Sequence, residues 1–213
     1  MLNFDYCKVW NLNLIFLGLI AMLLAGCATL TPKQEQGAQE IRAIVDATAR
    51  AYSVSKIYVL IGNDTSNIGG TYRRGMITVS TNMLASRHRD SLIAHELAHY
   101  LLGHDAPLSG SSSLDQKREQ ELRELDANAK AVEILMRVTD RTQAQSLRLV
   151  YDHLATFHRM LMAGRTVLPW GHRMPCDEIH DLVARFPAQR GWTNGLECAT
   201  GSVAAARTNR ARP

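Results

Sequence analysis

The sequence predicts an α+β domain, mostly helical, with a small β-sheet ahead of its most distinctive helix. Apolar residues recur at helical spacing in several long segments, the clearest being Asp90–Leu102, Leu114–Val138 and Thr142–Ala163. Two short β-branched runs, Lys56–Ile61 (KIYVLI) and Met76–Ser80 (MITVS), read as strands, and both precede Asp90. The chain has 213 residues, 46% of them apolar and 21% charged, which suits one globular domain and excludes a disordered or polytopic membrane chain. Net charge is +4, with no dense Lys/Arg run before the C-terminal tail, so nothing calls for nucleic acid as a partner.

Leu12–Gly26 is nearly all apolar but shorter than the roughly 20 residues a helix needs to cross a bilayer, so it reads as the core of a secretory signal. It ends in Leu24-Ala25-Gly26-Cys27, which resembles the lipobox of bacterial lipoproteins. That resemblance implies removal of residues 1–26, acylation of Cys27 and a membrane held through the lipid. Ala28, where an Asp would imply retention at the inner membrane, points to the outer membrane facing the periplasm. An uncleaved signal anchor is the alternative. Residues 27–38 read as a polar tether, 39–200 as the domain and 201–213 as a disordered basic tail. In an oxidising compartment the remaining pair, Cys176 and Cys198, is most simply one disulfide, with two buried thiols as the alternative.

Gln39–Tyr52 carries Ile41, Ile44, Val45 and Thr48 on one face and reads as an amphipathic helix. Gly62–Gly75 is polar and glycine-rich, a loop or hairpin between the strands. Gly103 stands where a C-capping glycine would end the helix of Asp90–Leu102. Asp105–Ser113 has the composition of a flexible stretch, and Ser113 with Gln116 could form a capping box for the next helix. Pro175–Phe186 gives a shorter last helix.

His95-Glu96-Leu97-Ala98-His99 is an HExxH motif on a predicted helix. Histidines four apart share a helix face and can meet one metal ion, while the Glu beside the first is placed to act on a water there. Nitrogen and carboxylate donors suit Zn2+, one per chain, and a catalytic zinc needs a third protein ligand. His104 falls beyond the predicted cap. The segment Glu119–Asn128 offers carboxylates on a later helix: Glu124 and Asn128 share a face, with Glu121 close to it. Glu124 is the choice for the metal, with Glu121 or His104 next. Asn128 is placed to accept the N–H of a ligating His. Ala127, Ala129 and Ala131 would allow the two helices to pack closely. His88, His158 and His180 carry no motif and read as surface residues.

HELAHYLLGH followed by ELDANAKAVEILM resembles the gluzincin metallopeptidases, in which the two HExxH histidines and a Glu on a later helix bind zinc. Two families compete. HtpX-like and prenyl-protease-like peptidases carry an Asp four residues after that Glu, and Asn67, Gly69, Gly70 and Gly75–Val79 echo the segment before their HExxH. Gly171-His172-Arg173-Met174-Pro175 loosely echoes their downstream His-Pro region. ImmA/IrrE-like peptidases carry Ala-Asn before an apolar helix, as Ala127 and Asn128 do here. The lipoprotein signal favours the HtpX-like family, whose secreted members act in envelope quality control.

The resemblance implies a zincin-type metalloendopeptidase acting on proteins or peptides, with Glu96 as general base and His172 stabilising the oxyanion; Tyr151 or His153 are second choices. Substrate backbone is expected to add to an edge strand near Met76–Ser80. The competing function is a non-catalytic zinc-fold lipoprotein serving as an adaptor or chaperone.

Overall fold

The computed structural model describes residues 30–55, 57–62, 69–189 and Cys198. The expectations for residues 1–26, Cys27, Asn67 and 201–213 lie outside the described residues. The described residues from Lys33 onward form one compact unit.

The first helix, α1, runs Pro32–Ala51 and so takes in most of the stretch expected to be tether. Polar composition hid this, but Gly37 and Ala38 are buried together with Ile41, Ile44, Val45 and Thr48. The helix passes so close to a neighbouring turn that a Cβ on Gly37 would lie 1.9 Å from the Leu84 carbonyl oxygen, which only glycine permits.

Strands β1 (Tyr58–Gly62), β2 (Gly70–Arg73) and β3 (Met76–Ser80) form one sheet in the order β1-β3-β2. β3 runs parallel to β1, with Val59 opposite Ile77, and antiparallel to β2, with Tyr72 opposite Ile77. The hairpin of β2 and β3 turns through Arg74 and Gly75. β3 is therefore the central strand. The expectation that Met76–Ser80 offers an edge to substrate fails, because that run has a partner on each side. Its β-branched residues reflect this, since Ile77 and Val79 are fully buried.

A short turn, α2 (Thr81–Leu84), leads to α3 (Arg89–Leu101), α4 (Ser113–Val138), α5 (Gln143–Met162) and α6 (Pro175–Arg185). Helix α3 packs on α4, α5 and β2, and α4 also packs on α5 and α6. Ile93, Leu97 and Ala98 of α3 and Ala127, Ala131 and Ile134 of α4 are fully buried. Each large apolar side chain among them contributes about 1.5–3 kcal/mol by leaving water. Of the three alanines expected at the helix contact, Ala127 and Ala131 are fully buried while Ala129 is half-buried, and a larger residue at Ala131 would cost about 1–3 kcal/mol in overpacking. Among the described residues no helix is long and apolar enough to cross a membrane.

Helix α4 is capped one residue earlier than expected: the Ser112 hydroxyl accepts the Asp115 N–H, rather than Ser113 pairing with Gln116. A reciprocal capping box occurs instead at Thr142 and Gln145, where α5 begins. Gly103 follows the last turn of α3 at positive φ, as expected. Segment 105–113 is held rather than loose. Arg123 donates to the carbonyls of His104, Ala106 and Pro107, and the Glu119 carboxylate accepts from Ser109 and Gly110. Cys176 and Cys198 are joined by a disulfide, with Cα atoms 5.1 Å apart, which ties α6 to the segment after it.

Candidate metal centre

Helix α3 carries His95 and His99 one turn apart on its α4-facing side, ring centroids 4.7 Å apart. Their Nε2 atoms are 3.1 Å from each other. Glu124 of α4 meets them from across the helix pair, its Oε2 3.1 Å from His95 Nε2 and 3.3 Å from His99 Nε2. These three donors converge on one point, as a zinc site with an open fourth position requires. Each is also held from behind. Gln120 donates to Glu124 Oε1 at 2.6 Å, leaving Oε2 for the site. His95 Nδ1 lies 3.0 Å from Asn128 Oδ1, the partner expected from sequence. His99 Nδ1 lies 2.8 Å from His104 Nδ1. With each Nδ1 engaged from behind, the two Nε2 atoms are the ones turned toward Glu124 Oε2, so the donor set fits zinc.

Electrostatics follow from burial and these contacts. Burial alone would lower His95, but the adjoining Glu124 carboxylate overrides it and pushes its pKa up to about 9. Burial would raise Glu124, yet its bonds to His95 and His99 hold it far below the ordinary carboxylate range. Glu96 is buried at 7% exposure beside this cluster, and desolvation raises its pKa. His104 is lowered to about 4 by burial and by His99.

His172 sits on a loop before α6, held in place by Gly171. That glycine has φ +82° and no room for a side chain, since a Cβ would fall 2.2 Å from Gln120 Cγ. His172 Nε2 faces Glu124 Oε2 at 3.5 Å. Its Nδ1 is 3.3 Å from Glu178 Oε1, and Glu178, against the opposing effect of burial, raises its pKa.

These residues line one side of a cavity of about 590 Å³. Gly70, Thr71 and Tyr72 of β2 also line it, as do the apolar side chains of Met83, Leu92, Phe157 and Met160. His88 and His153 line it too, their rings stacked with centroids 5.6 Å apart. Burial lowers both, His153 to about 3.

The site gathers His95, Glu96, His99, Glu124, Asn128 and His172, all expected from sequence, around one cavity. Others fall elsewhere. Glu121 pairs with Lys117 along the helix, and Tyr151 is buried in the core and does not line the cavity. The surface reading holds for His180, which is exposed, but not for the other two: His88 is 8% exposed and His158 half-buried. His158 lies near Cys176 and Cys198, whose sulfurs the disulfide already uses.

Sequence reasoning missed His104 as a partner of His99, and Glu178. Glu178 is 2% exposed and accepts from Asn128 Nδ2 at 3.0 Å and from the Arg173 N–H at 3.2 Å. One signal existed: Glu178 lies four residues before Leu182 on the buried stripe of α6. In the first turn of a helix, however, a Glu ordinarily reads as a favourable charge on the helix dipole.

The peptidase family M78 model, described as the IrrE N-terminal-like domain, matches residues 38–163, more than half of the chain. The chain belongs to that family. The HtpX-like assignment favoured by the lipobox is thereby corrected to the ImmA/IrrE-like one. The residue at the deciding position fits this family: Asn128 meets His95 with a neutral amide where the HtpX-like pattern has an Asp. Comparison with curated proteins and with solved structures gives no match.

Proposed function

We propose that the protein is a zinc-dependent peptidase that cleaves proteins or peptides at the cell envelope. The observation that carries this is the convergence of His95 Nε2, His99 Nε2 and Glu124 Oε2 within 3.1–3.3 Å, with the Glu96 carboxyl alongside. Held by these three donors, zinc would supply Lewis acidity, bringing the pKa of water toward about 7 and polarising a carbonyl.

Glu96 takes the proton of the attacking water and passes it to the leaving amine. Its raised pKa suits both halves of that exchange. His172 Nε2, facing the cleft, donates to the oxyanion as it forms. The substrate strand adds to β2, the edge strand whose residues Gly70–Tyr72 line the cavity. The envelope location and lipid anchor rest on the lipobox-like Leu24–Cys27 and on the Cys176–Cys198 disulfide, which belongs in an oxidising compartment.

Zinc stoichiometry on the purified protein tests the centre. One zinc per chain, lost in Glu124→Ala, is expected, and no zinc in the folded parent would overturn the reading. Glu96→Gln should keep zinc and lose hydrolysis of envelope-protein digests by about 10²–10⁴-fold. Cellular function preserved in that variant would favour the adaptor reading, since an adaptor has no chemical need for Glu96.

A further inference from the structure

Glu178 lies beyond the segment the family model matches, on a helix that supplies no metal donor. We infer that Glu178, acting through the Asn128 amide, determines which ring nitrogen of His95 is free to bind a metal. The inference rests on the metal-centre reading and extends it by one positioning residue.

Hydrogen-bond chemistry fixes each link. Glu178 is surrounded by donors: Asn128 Nδ2 on Oε2, and the Arg173 N–H with His172 Nδ1 on Oε1. A carboxylate so placed only accepts, so the NH₂ end of the Asn128 amide must face it. The amide oxygen then points the other way, 3.0 Å from His95 Nδ1. An amide oxygen also only accepts, so His95 Nδ1 must carry a hydrogen. The nitrogen that can give up its proton to a metal is therefore Nε2, the atom facing His99 and Glu124.

Turning the amide over would reverse every link. Asn128 would then present N–H groups to Nδ1, the His95 hydrogen would move to Nε2, and the site would refuse a cation. Without Glu178, Asn128 has no such constraint, because its two ends are nearly the same shape. Glu178→Gln tests this well, since a glutamine of equal size can donate or accept and so no longer dictates the amide's direction.

The experiment is zinc affinity by chelator competition on the full chain, for the parent, Glu178→Gln, Asn128→Ala and the double variant. The expected result is about tenfold or greater weakening in Glu178→Gln. In the Asn128→Ala background the same change should alter affinity by less than about twofold, because the lever is gone. Undiminished affinity in Glu178→Gln, or an equal loss in both backgrounds, overturns the inference. The second readout is the ¹⁵N signature of His95 in zinc-depleted protein, followed into the alkaline range until the ring is neutral. A hydrogen on Nδ1 in the parent, giving way to a mixture in Glu178→Gln, supports the lock, and a hydrogen on Nε2 in the parent overturns it. Should Glu178→Gln fail to fold, the parent spectrum decides. Should the parent bind no zinc, the metal-centre reading fails while the spectrum still answers for Glu178.

Discussion

The cavity is lined by two sets of imidazoles in opposite states. In the set at the metal centre, His95 and His172 face Glu124 and Glu178, and their pKa values are raised against the pull of burial. In the other set, His88 and His153 stack on each other without a carboxylate bond, and both are lowered. Burial acts on all four, so the difference comes from their charged neighbours: Glu124 and Glu178 beside the first pair, and Arg87, Arg159 and other imidazoles beside the second. One set is built to exchange a proton for a cation. The other stays uncharged near neutral pH.

Breaking the metal centre should have the largest effect. His172→Phe keeps the ring's bulk and removes its donor. Hydrolysis should fall about 10²–10³-fold in kcat, with zinc stoichiometry unchanged, when turnover and metal content are measured on the same preparation. Loss of zinc in that variant would assign His172 to metal binding instead. His104→Ala should be milder, weakening zinc about tenfold by chelator competition, because His99 loses the partner that orients its ring.

The contrast can also be read in stability against pH. In chelator-treated protein, His95 has a folded pKa near 9, above the ordinary 6.5, so its contribution is complete below 6.5 and is lost as pH rises toward 9. His153 has a folded pKa near 3, so the unfolded chain gains a proton below 6.5 that the folded one refuses, and stability falls as pH drops. His88 acts in the same direction as His153. The His95 contribution should therefore lower the urea midpoint as pH rises from 6.5 toward 9, and those of His153, His88 and His104 should lower it as pH falls below 6.5. Zinc should remove the alkaline decline, because the cation replaces the proton. The smallest effect is expected from His153→Phe, which should shallow the acid decline alone.

Much of this site was legible because it depends on short-range geometry. HExxH fixes two donors and a base by helical spacing alone, and the pair Glu124 and Asn128 repeats the same four-residue logic on the next helix. The helices of α3 to α6 were legible for the same reason. What was not legible depends on long-range placement. Nothing in MITVS distinguishes a central from an edge strand until β2 is known to form. Polar residues disguised the first turns of α1, whose burial depends on Leu84 lying against Gly37. His104 and Glu178 each act through a neighbour, His99 and Asn128, and no periodicity records such a partnership.

The anchoring of segment 105–113 bears on how the protein breathes. Its carbonyls rest on Arg123, its Ser109 and Gly110 amides on Glu119, and Asp105 accepts from the Tyr72 hydroxyl and the Arg74 N–H. Arg123 and Glu119 are themselves paired at 2.6 Å, one turn apart on the helix that supplies Glu124. A fluctuation that frees this segment must undo several charge-assisted contacts together. Its amides should thus exchange with solvent in step with that helix rather than as an independent loop, and Asp105, its residue in the cavity lining, is held with it.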